Sequence, residues 1–184
     1  MESTPQFALP RATREWRRFR CVYTRARAAL EWPDERLFGR VPEASGWSPA
    51  EHLFHLCLAT ELVVRNLRML RKGPGGLVAE GGEPIPEARP ILLRGILPRG
   101  TRAPRMVTPP TEFDRAFLRE LVDSGERDLE RLEDAMGELF EQSWTIPHQT
   151  LGPLTAELWV RFGRMHGVHH WRIVREILTA GGPS

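Results

Sequence analysis

Four stretches of the chain carry apolar residues at helical spacing. In the first stretch, arginines fill most of the positions between apolar residues, which is the pattern of an amphipathic helix with one buried face. The apolar positions of that stretch are Trp16, Phe19, Tyr23, Ala26 and Leu30. The repeated pattern predicts helices at about 11–31, 48–72, 111–141 and 153–180. The expected fold class is therefore all-α, with one domain over residues 1–184.

Residues that favour helix starts support these boundaries. Ser48 precedes Pro49, and proline is well tolerated in the first turn of a helix. Thr111 can cap the third helix, with Asp114 three residues later in a variant of the capping box. Gly125 is a position where this helix can bend. The third helix carries a predicted core stripe of Phe113, Phe117, Leu121, Leu129, Leu132, Met136 and Leu139.

Residues 73–110 separate the second and third helices. This segment holds eight of the sixteen prolines and seven of the sixteen glycines, a composition that predicts no regular helix. A structureless connection of this length is rare inside a compact domain. We interpret it as a long crossover that lets the second and third helices run parallel, and a disordered linker is the alternative. Its apolar pieces, Ile91-Leu92-Leu93 and Ile96-Leu97, favour packing against the helices.

Composition narrows the class of protein. Apolar residues make up 41% of the chain, charged residues make up 27%, and the net charge is +2, so charge alone indicates no nucleic-acid partner. No apolar run is long enough to cross a membrane, and the first ten residues lack the pattern of a secretion signal. We therefore expect a cytoplasmic protein that does not bind membranes. Cys21 and Cys57 form no paired motif, so neither a disulfide framework nor a thiolate zinc site is predicted.

Three of the six histidines lie in the segment RFGRMHGVHHWRIV, residues 161–174. Because a helix advances by about 100° per residue, His166 and His170 fall on the inward face of the last helix, and His169 is more peripheral. His52 and His55 both fall on the inward face of the second helix, and spacing does not choose between them. Buried imidazoles need partners for their ring nitrogens. A shared metal ion would supply them, and ordinary hydrogen bonds in the core are the alternative.

A zinc-peptidase site is excluded by one residue. Such a helix reads H-E-x-x-H with glutamate as the general base, but Gly167 stands at that position here. Gly163 lies one turn earlier. Because glycine is costly inside a helix, these two positions predict close packing of another element against the last helix.

Two segments together resemble a known family. GWSPAEHLFHL (46–56) has a tryptophan eight residues before a histidine, and LGPLTAELWVRFGRMHGVHHWRIV (151–174) has a Gly-x-Leu-Thr entry before two histidines four apart. Both are similar to signatures of the DinB-like (YfiT-like) metal-binding four-helix-bundle superfamily, which also has a long gap between its second and third helices. The resemblance implies an up-down-down-up bundle in which His55, His166 and His170 bind one divalent metal ion. It thus selects His55 over His52.

Three histidines leave an open metal position, which is the pattern of a catalytic site and suits zinc or nickel, with iron as a further option. An open position can activate a bound water, as in a hydrolase, or a bound thiolate, and the resemblance favours a metal-dependent transferase that uses a low-molecular-weight thiol. A non-catalytic metal-binding or assembly bundle is the alternative. A small-molecule substrate or thiol and a second copy of the chain in a homodimer are the expected partners. His148 of TIPHQTLG is a candidate pocket residue, and the glutamine that many relatives carry after the second histidine is missing from Trp171-Arg172-Ile173.

Overall fold

A computed structural model describes residues 11–100 and 103–181, and this part of the chain is mostly helical. The first ten residues, on which the expectation of no secretion signal rests, lie outside the described residues. The α-helices in chain order are α1 (Arg11–Ala29), α2 (Asp34–Phe38), α3 (Pro49–Lys72), α4 (Ala88–Arg94), α5 (Arg115–Glu130), α6 (Met136–Glu141) and α7 (Ala156–Ala180). Over 11–100 and 103–181, no helix combines the length and the apolar character needed to span a bilayer.

The four longest helices share one hydrophobic core. Helices α1 and α3 each pack against both α5 and α7. The apolar stripe predicted for α1 is buried along its whole length, and it meets apolar residues from the other helices. Fully buried side chains of this core include Trp16, Phe19, Leu53, Leu67, Leu118, Leu129 and Leu139.

Glycines allow α1 to approach its neighbours closely, as the sequence predicted for α7. A Cβ atom at Gly163 would lie 2.6 Å from the Phe19 ring, and one at Gly167 would lie 2.5 Å from Val22 Cγ2. At Gly125 of α5, a Cβ would lie 2.4 Å from the Tyr23 ring, and α5 continues through this residue without a break. Any larger side chain at these positions would push α1 away from its neighbours.

The third predicted helix is interrupted. Its N-cap is Asp114, whose carboxylate accepts a hydrogen bond from the Phe117 backbone N–H at 2.8 Å, so the prediction that Thr111 caps the helix was wrong. Helix α5 ends at Glu130, and a 3₁₀ turn over Glu133–Ala135 leads into α6. The core face of α5 is formed by Leu118, Val122 and Leu129, whereas Phe117 of the predicted stripe is 46% exposed.

The described residues are mostly helical, as the all-α expectation has it, and a small antiparallel sheet is added to the helices. It consists of β1 (Ala79–Glu80), β2 (Trp144–His148) and β3 (Gly152–Leu154), in the order β1-β2-β3. Pairing of residues 152–154 with β2 delays the start of the last helix, which begins at Ala156 behind the N-cap Thr155 and not at residue 153. The sheet joins the crossover to the segment before α7 and places His148 beside that helix.

The crossover does contain a regular helix, α4, so the prediction of none was wrong. Pro90 is tolerated because it lies in the first turn, where backbone N–H groups have no partner within the helix. Gly95 ends α4 in the left-handed conformation, with φ of 69°. Arg161 of α7 donates hydrogen bonds to the carbonyls of Leu92 (2.7 Å) and Leu93 (3.1 Å). The crossover is thereby attached to α7.

The apolar pieces of the crossover pack on the core only in part. Leu92 is buried, and Ile91 and Leu97 pack partly against the core. Leu93 and Ile96 are exposed. A further 3₁₀ turn over Arg105–Val107 lies against α3, which brings the end of the crossover close to His55.

We expect Gly167→Ala to destabilise the protein and Gly137→Ala to stabilise it slightly. The new methyl group at 167 would meet both Val22 methyl groups, which belong to a stiff β-branched side chain. Overpacking of this kind costs about 1–3 kcal/mol, against a gain of about 1 kcal/mol in helix propensity. Gly137 lies in α6 with open space around it, so only the propensity gain applies there. Urea unfolding measures both changes, and equal stabilisation by the two substitutions would contradict the close approach of α1 to α7.

Candidate metal centre

Three histidines from two helices point their Nε2 atoms at one place. His166 Nε2 lies 3.0 Å from His55 Nε2 and 3.2 Å from His170 Nε2. The potential ligand atoms of all three lie within 4.8 Å of one another. Helix α3 supplies His55, and α7 supplies the other two from positions one helical turn apart. The packing of α3 against α7 therefore creates the cluster.

The ring of His55 is held by the crossover. Its Nδ1 lies 2.7 Å from the backbone carbonyl oxygen of Val107. A carbonyl can only accept a hydrogen bond, so Nδ1 carries the proton and donates it. The Nε2 lone pair of the neutral ring is then free to bind a metal ion.

The ring of His170 is held by His52. Their Nδ1 atoms lie 2.9 Å apart, and His52 Nε2 lies 2.9 Å from the Ser45 hydroxyl. The Ser45 oxygen also accepts a hydrogen bond from the Trp47 backbone N–H at 3.1 Å. His52 therefore lies behind His170, on the side of the ring that faces away from the Nε2 cluster.

Aromatic side chains enclose the cluster on two sides. The Trp47 ring packs against His52 and His55 with centroid distances of 5.4 and 5.1 Å, and it stacks near His170 at 6.5 Å. On the other side, Phe162 stacks on His166 at 5.6 Å. These rings limit the access of water to the three nitrogens.

His148 lies beyond Phe162. Its ring contacts Phe162 at 4.6 Å and Trp159 at 5.4 Å, so it lies one ring away from His166 and outside the cluster. The Thr150 backbone N–H donates to His148 Nδ1 at 3.2 Å, which leaves the proton of the neutral ring on Nε2.

Burial keeps these imidazoles neutral. It lowers the pKa of His52 to about 3 and that of His148 to about 4. Burial is also the main cause of the lowered pKa values of His55, His166 and His170, with a further contribution from neighbouring histidines. Neutral imidazole is the form that binds metals, so the site is prepared for a cation near pH 7.

The donor set fits a divalent transition metal. Imidazole nitrogens suit zinc, nickel and iron(II), and bonds of about 2.0–2.1 Å in tetrahedral geometry separate neighbouring ligand atoms by about 3.3 Å. The observed separations of 3.0 and 3.2 Å are close to that value. Within residues 11–100 and 103–181, the close group of three or more histidine, cysteine or carboxylate side chains consists of His55, His166 and His170.

The sequence placed some of these residues and missed others. His166 and His170 converge as the helical spacing predicted, and His55 joins them as the resemblance implied. His169 packs edge-on against His170 but contributes no atom to the cluster. Sequence patterns did not identify Ser45 or the Val107 carbonyl. Every residue has a backbone carbonyl, so no sequence pattern singles out the one at Val107.

Comparison with known proteins gives one family. The family model described as "DinB superfamily" matches residues 18–174. No curated protein and no solved structure matches the chain significantly.

The metal-free protein should lose stability as the pH falls from 7.5 to 5. Histidines in the unfolded chain titrate near pKa 6.5, whereas burial lowers the pKa of His52 to about 3 in the folded chain. Below about pH 6.5 the unfolded state binds more protons, so stability that is present above this pH is lost as the pH falls toward the folded-state values. Each buried histidine that stays neutral contributes a loss of up to about 2 kcal/mol at pH 5.

Urea unfolding of chelator-treated protein at the two pH values measures this loss. His52→Asn removes one titrating ring, so this variant should show a shallower pH dependence than the wild-type protein. An unchanged free energy of unfolding between pH 7.5 and 5 would contradict the burial of neutral imidazoles.

Proposed function

The chain belongs to the DinB superfamily, and from this premise we propose that it is an enzyme that uses one divalent metal ion bound by His55, His166 and His170. The observation that supports the proposal best is the convergence of three Nε2 atoms, two of them on rings whose opposite nitrogens have hydrogen-bond partners. Zinc or nickel is the proposed metal, with iron(II) as a third option. Three protein ligands leave a coordination position for a substrate.

A metal ion at this site would act as a Lewis acid that favours the deprotonated form of a bound thiol or water. The chain's own residues orient the ligands and exclude water. Val107 and His52 hold two of the ligand rings, and Trp47 and Phe162 cover the cluster. His148 is proposed as a pocket residue that donates a hydrogen bond to the substrate from Nε2, the nitrogen that carries its proton.

We favour a transferase that uses a low-molecular-weight thiol over a hydrolase. The covered, aromatic surroundings of the site suit a soft sulfur ligand, and the thiolate is the form that both binds a metal and attacks a substrate. A non-catalytic bundle is the competing proposal, because the same three ligands would tie α3 to α7.

The proposal extends to the whole molecule. It comprises a single domain, as the chain length suggests, and a cytoplasmic location, as the sequence pattern suggests. The up-down-down-up order of the long helices and a homodimer are taken from the family. A light-scattering mass of one chain at working concentration would contradict the homodimer.

Single replacement of His55, His166 or His170 by alanine should abolish stoichiometric metal binding, because each removes one of only three protein bonds. Elemental analysis after reconstitution with zinc or nickel measures occupancy. His169→Ala is the matched control and should retain the metal, since its ring lies outside the cluster. His52→Ala should also reach full occupancy at saturating metal.

Circular dichroism is needed beside the elemental analysis, since loss of a buried side chain can unfold the chain. Full occupancy in all three ligand variants, or no metal in the reconstituted wild-type protein, would contradict the proposed site.

Binding of a thiol distinguishes the enzyme from the structural alternative. Cobalt-substituted protein titrated with a small thiol should develop a sulfur-to-cobalt charge-transfer band, because the fourth position is open. His148→Ala should weaken this titration without changing metal content. A cobalt spectrum that no thiol alters would favour a closed, non-catalytic site.

A further inference from the structure

His52 makes contacts that core packing alone does not require. Its side chain is only 2% exposed, yet both of its ring nitrogens lie 2.9 Å from polar atoms, one in His170 and one in Ser45. Trp47 packs edge-on against the ring at 5.4 Å and restricts its rotation. An apolar side chain of similar size would fill the space, but it would leave a buried nitrogen of His170 without a partner.

The hydrogen-bond chain has two possible directions. If Ser45 accepts from His52 Nε2–H, the Nδ1 of His52 has a free lone pair and accepts from His170 Nδ1–H. If instead the Ser45 hydroxyl donates to His52, the proton of His52 moves to Nδ1 and is donated to His170. In the second case His170 carries its own proton on Nε2 and cannot bind a metal through that atom.

The other side of the cluster selects the first direction. Because His55 donates its Nδ1 proton to the Val107 carbonyl, its Nε2 carries a lone pair. The hydrogen bond between His55 and His166 therefore requires His166 to carry its proton on Nε2. At 3.2 Å, His170 Nε2 then accepts from His166, and this hydrogen bond is kept only while the Nδ1 proton of His170 has its own acceptor, His52. The Trp47 backbone N–H, which donates to Ser45, is compatible with this direction because a hydroxyl oxygen has two lone pairs.

We infer that His52 is a positioning residue that, together with Ser45, holds His170 in the tautomer that presents Nε2 to the metal. This inference rests on the proposed metal site. His52 binds no metal itself, because its Nδ1 faces the Nδ1 of His170 and its Nε2 faces Ser45. Its effect is on the orientation and the basicity of a ligand, which outer residues of metal sites commonly control.

Replacement of His52 by leucine and by asparagine separates this role from packing. Leucine fills the space and accepts no hydrogen bond, so affinity for cobalt(II) should fall about 10–100-fold, as for other losses of a ligand's outer partner. Asparagine places an acceptor oxygen close to the position of Nδ1, so His52→Asn should bind cobalt(II) with nearly the wild-type affinity. Competition with a chromophoric chelator measures the affinities, and thermal unfolding establishes that each variant is folded.

The tautomer itself can be observed without any metal. Nitrogen-15 NMR of the imidazoles, with His170 assigned by comparison with His170→Gln, should show the proton on Nδ1 in the wild-type protein and in His52→Asn. In His52→Leu the Nδ1 proton of His170 would be buried without an acceptor, so a population should appear in which the proton lies on Nε2 and the hydrogen bond from His166 is broken. A role in packing alone would leave this tautomer unchanged.

The outcomes distinguish this inference from the proposed function. Equal cobalt affinity and an unchanged His170 tautomer in a folded His52→Leu variant would overturn the role of His52 and leave the metal site intact. A wild-type protein that binds no cobalt(II) would overturn both. If the leucine variant does not fold, Ser45→Ala provides the test. Without the Ser45 oxygen, His52 Nε2 has no acceptor, so the His52 proton can move to Nδ1 and be donated to His170. The affinity for cobalt(II) should then fall by a smaller factor than in the leucine variant, and unchanged affinity would overturn the inference.

Discussion

Buried imidazole rings between α3 and α7 are the constraint on which the rest of the structure depends. Four histidines lie in contact in a space from which water is largely excluded, and each has two ring nitrogens that need a partner. The structure satisfies the outer nitrogens of His55 and His170 through Val107 and His52. The inner Nε2 atoms are left facing one another. A cation is the partner that suits all three: it binds the lone pairs of His55 and His170, and that of His166 once the His166 proton has moved to Nδ1.

The segment before α3 is shaped to serve this arrangement. Ser48 caps α3, and the Glu51 carboxylate accepts a hydrogen bond from the Ser48 backbone N–H at 2.8 Å. Arg40 binds both oxygens of Glu51, at 2.6 and 3.0 Å. These contacts fix the turn that carries Ser45 and Trp47 against the histidines. The capping box therefore supports the site as well as the helix.

The two other supports come from packing and from the crossover. Gly163 and Gly167 let α1 lie directly against α7, which holds the helix that carries two of the ligands. Arg161 attaches α4 to the same helix, and the turn that ends at Val107 reaches the His55 ring on α3. A segment rich in proline and glycine thus takes part in the site, because its backbone carbonyl is an acceptor whatever side chains surround it.

The amino-acid sequence by itself determined the long helices, the inward direction of His166 and His170, and the close packing at Gly167. Each of these features follows from spacing along one helix or from the size of one residue. Spacing and size can be read without knowing which element packs against the helix. Family resemblance was needed to choose His55 over His52, since both lie on the same face of α3. Only the tertiary structure decided the interruption after Glu130, the helix in the crossover and the different roles of the two histidines. The physical reason is that these features depend on partners distant in the chain, such as Val107 for His55 and His170 for His52, which no local pattern specifies.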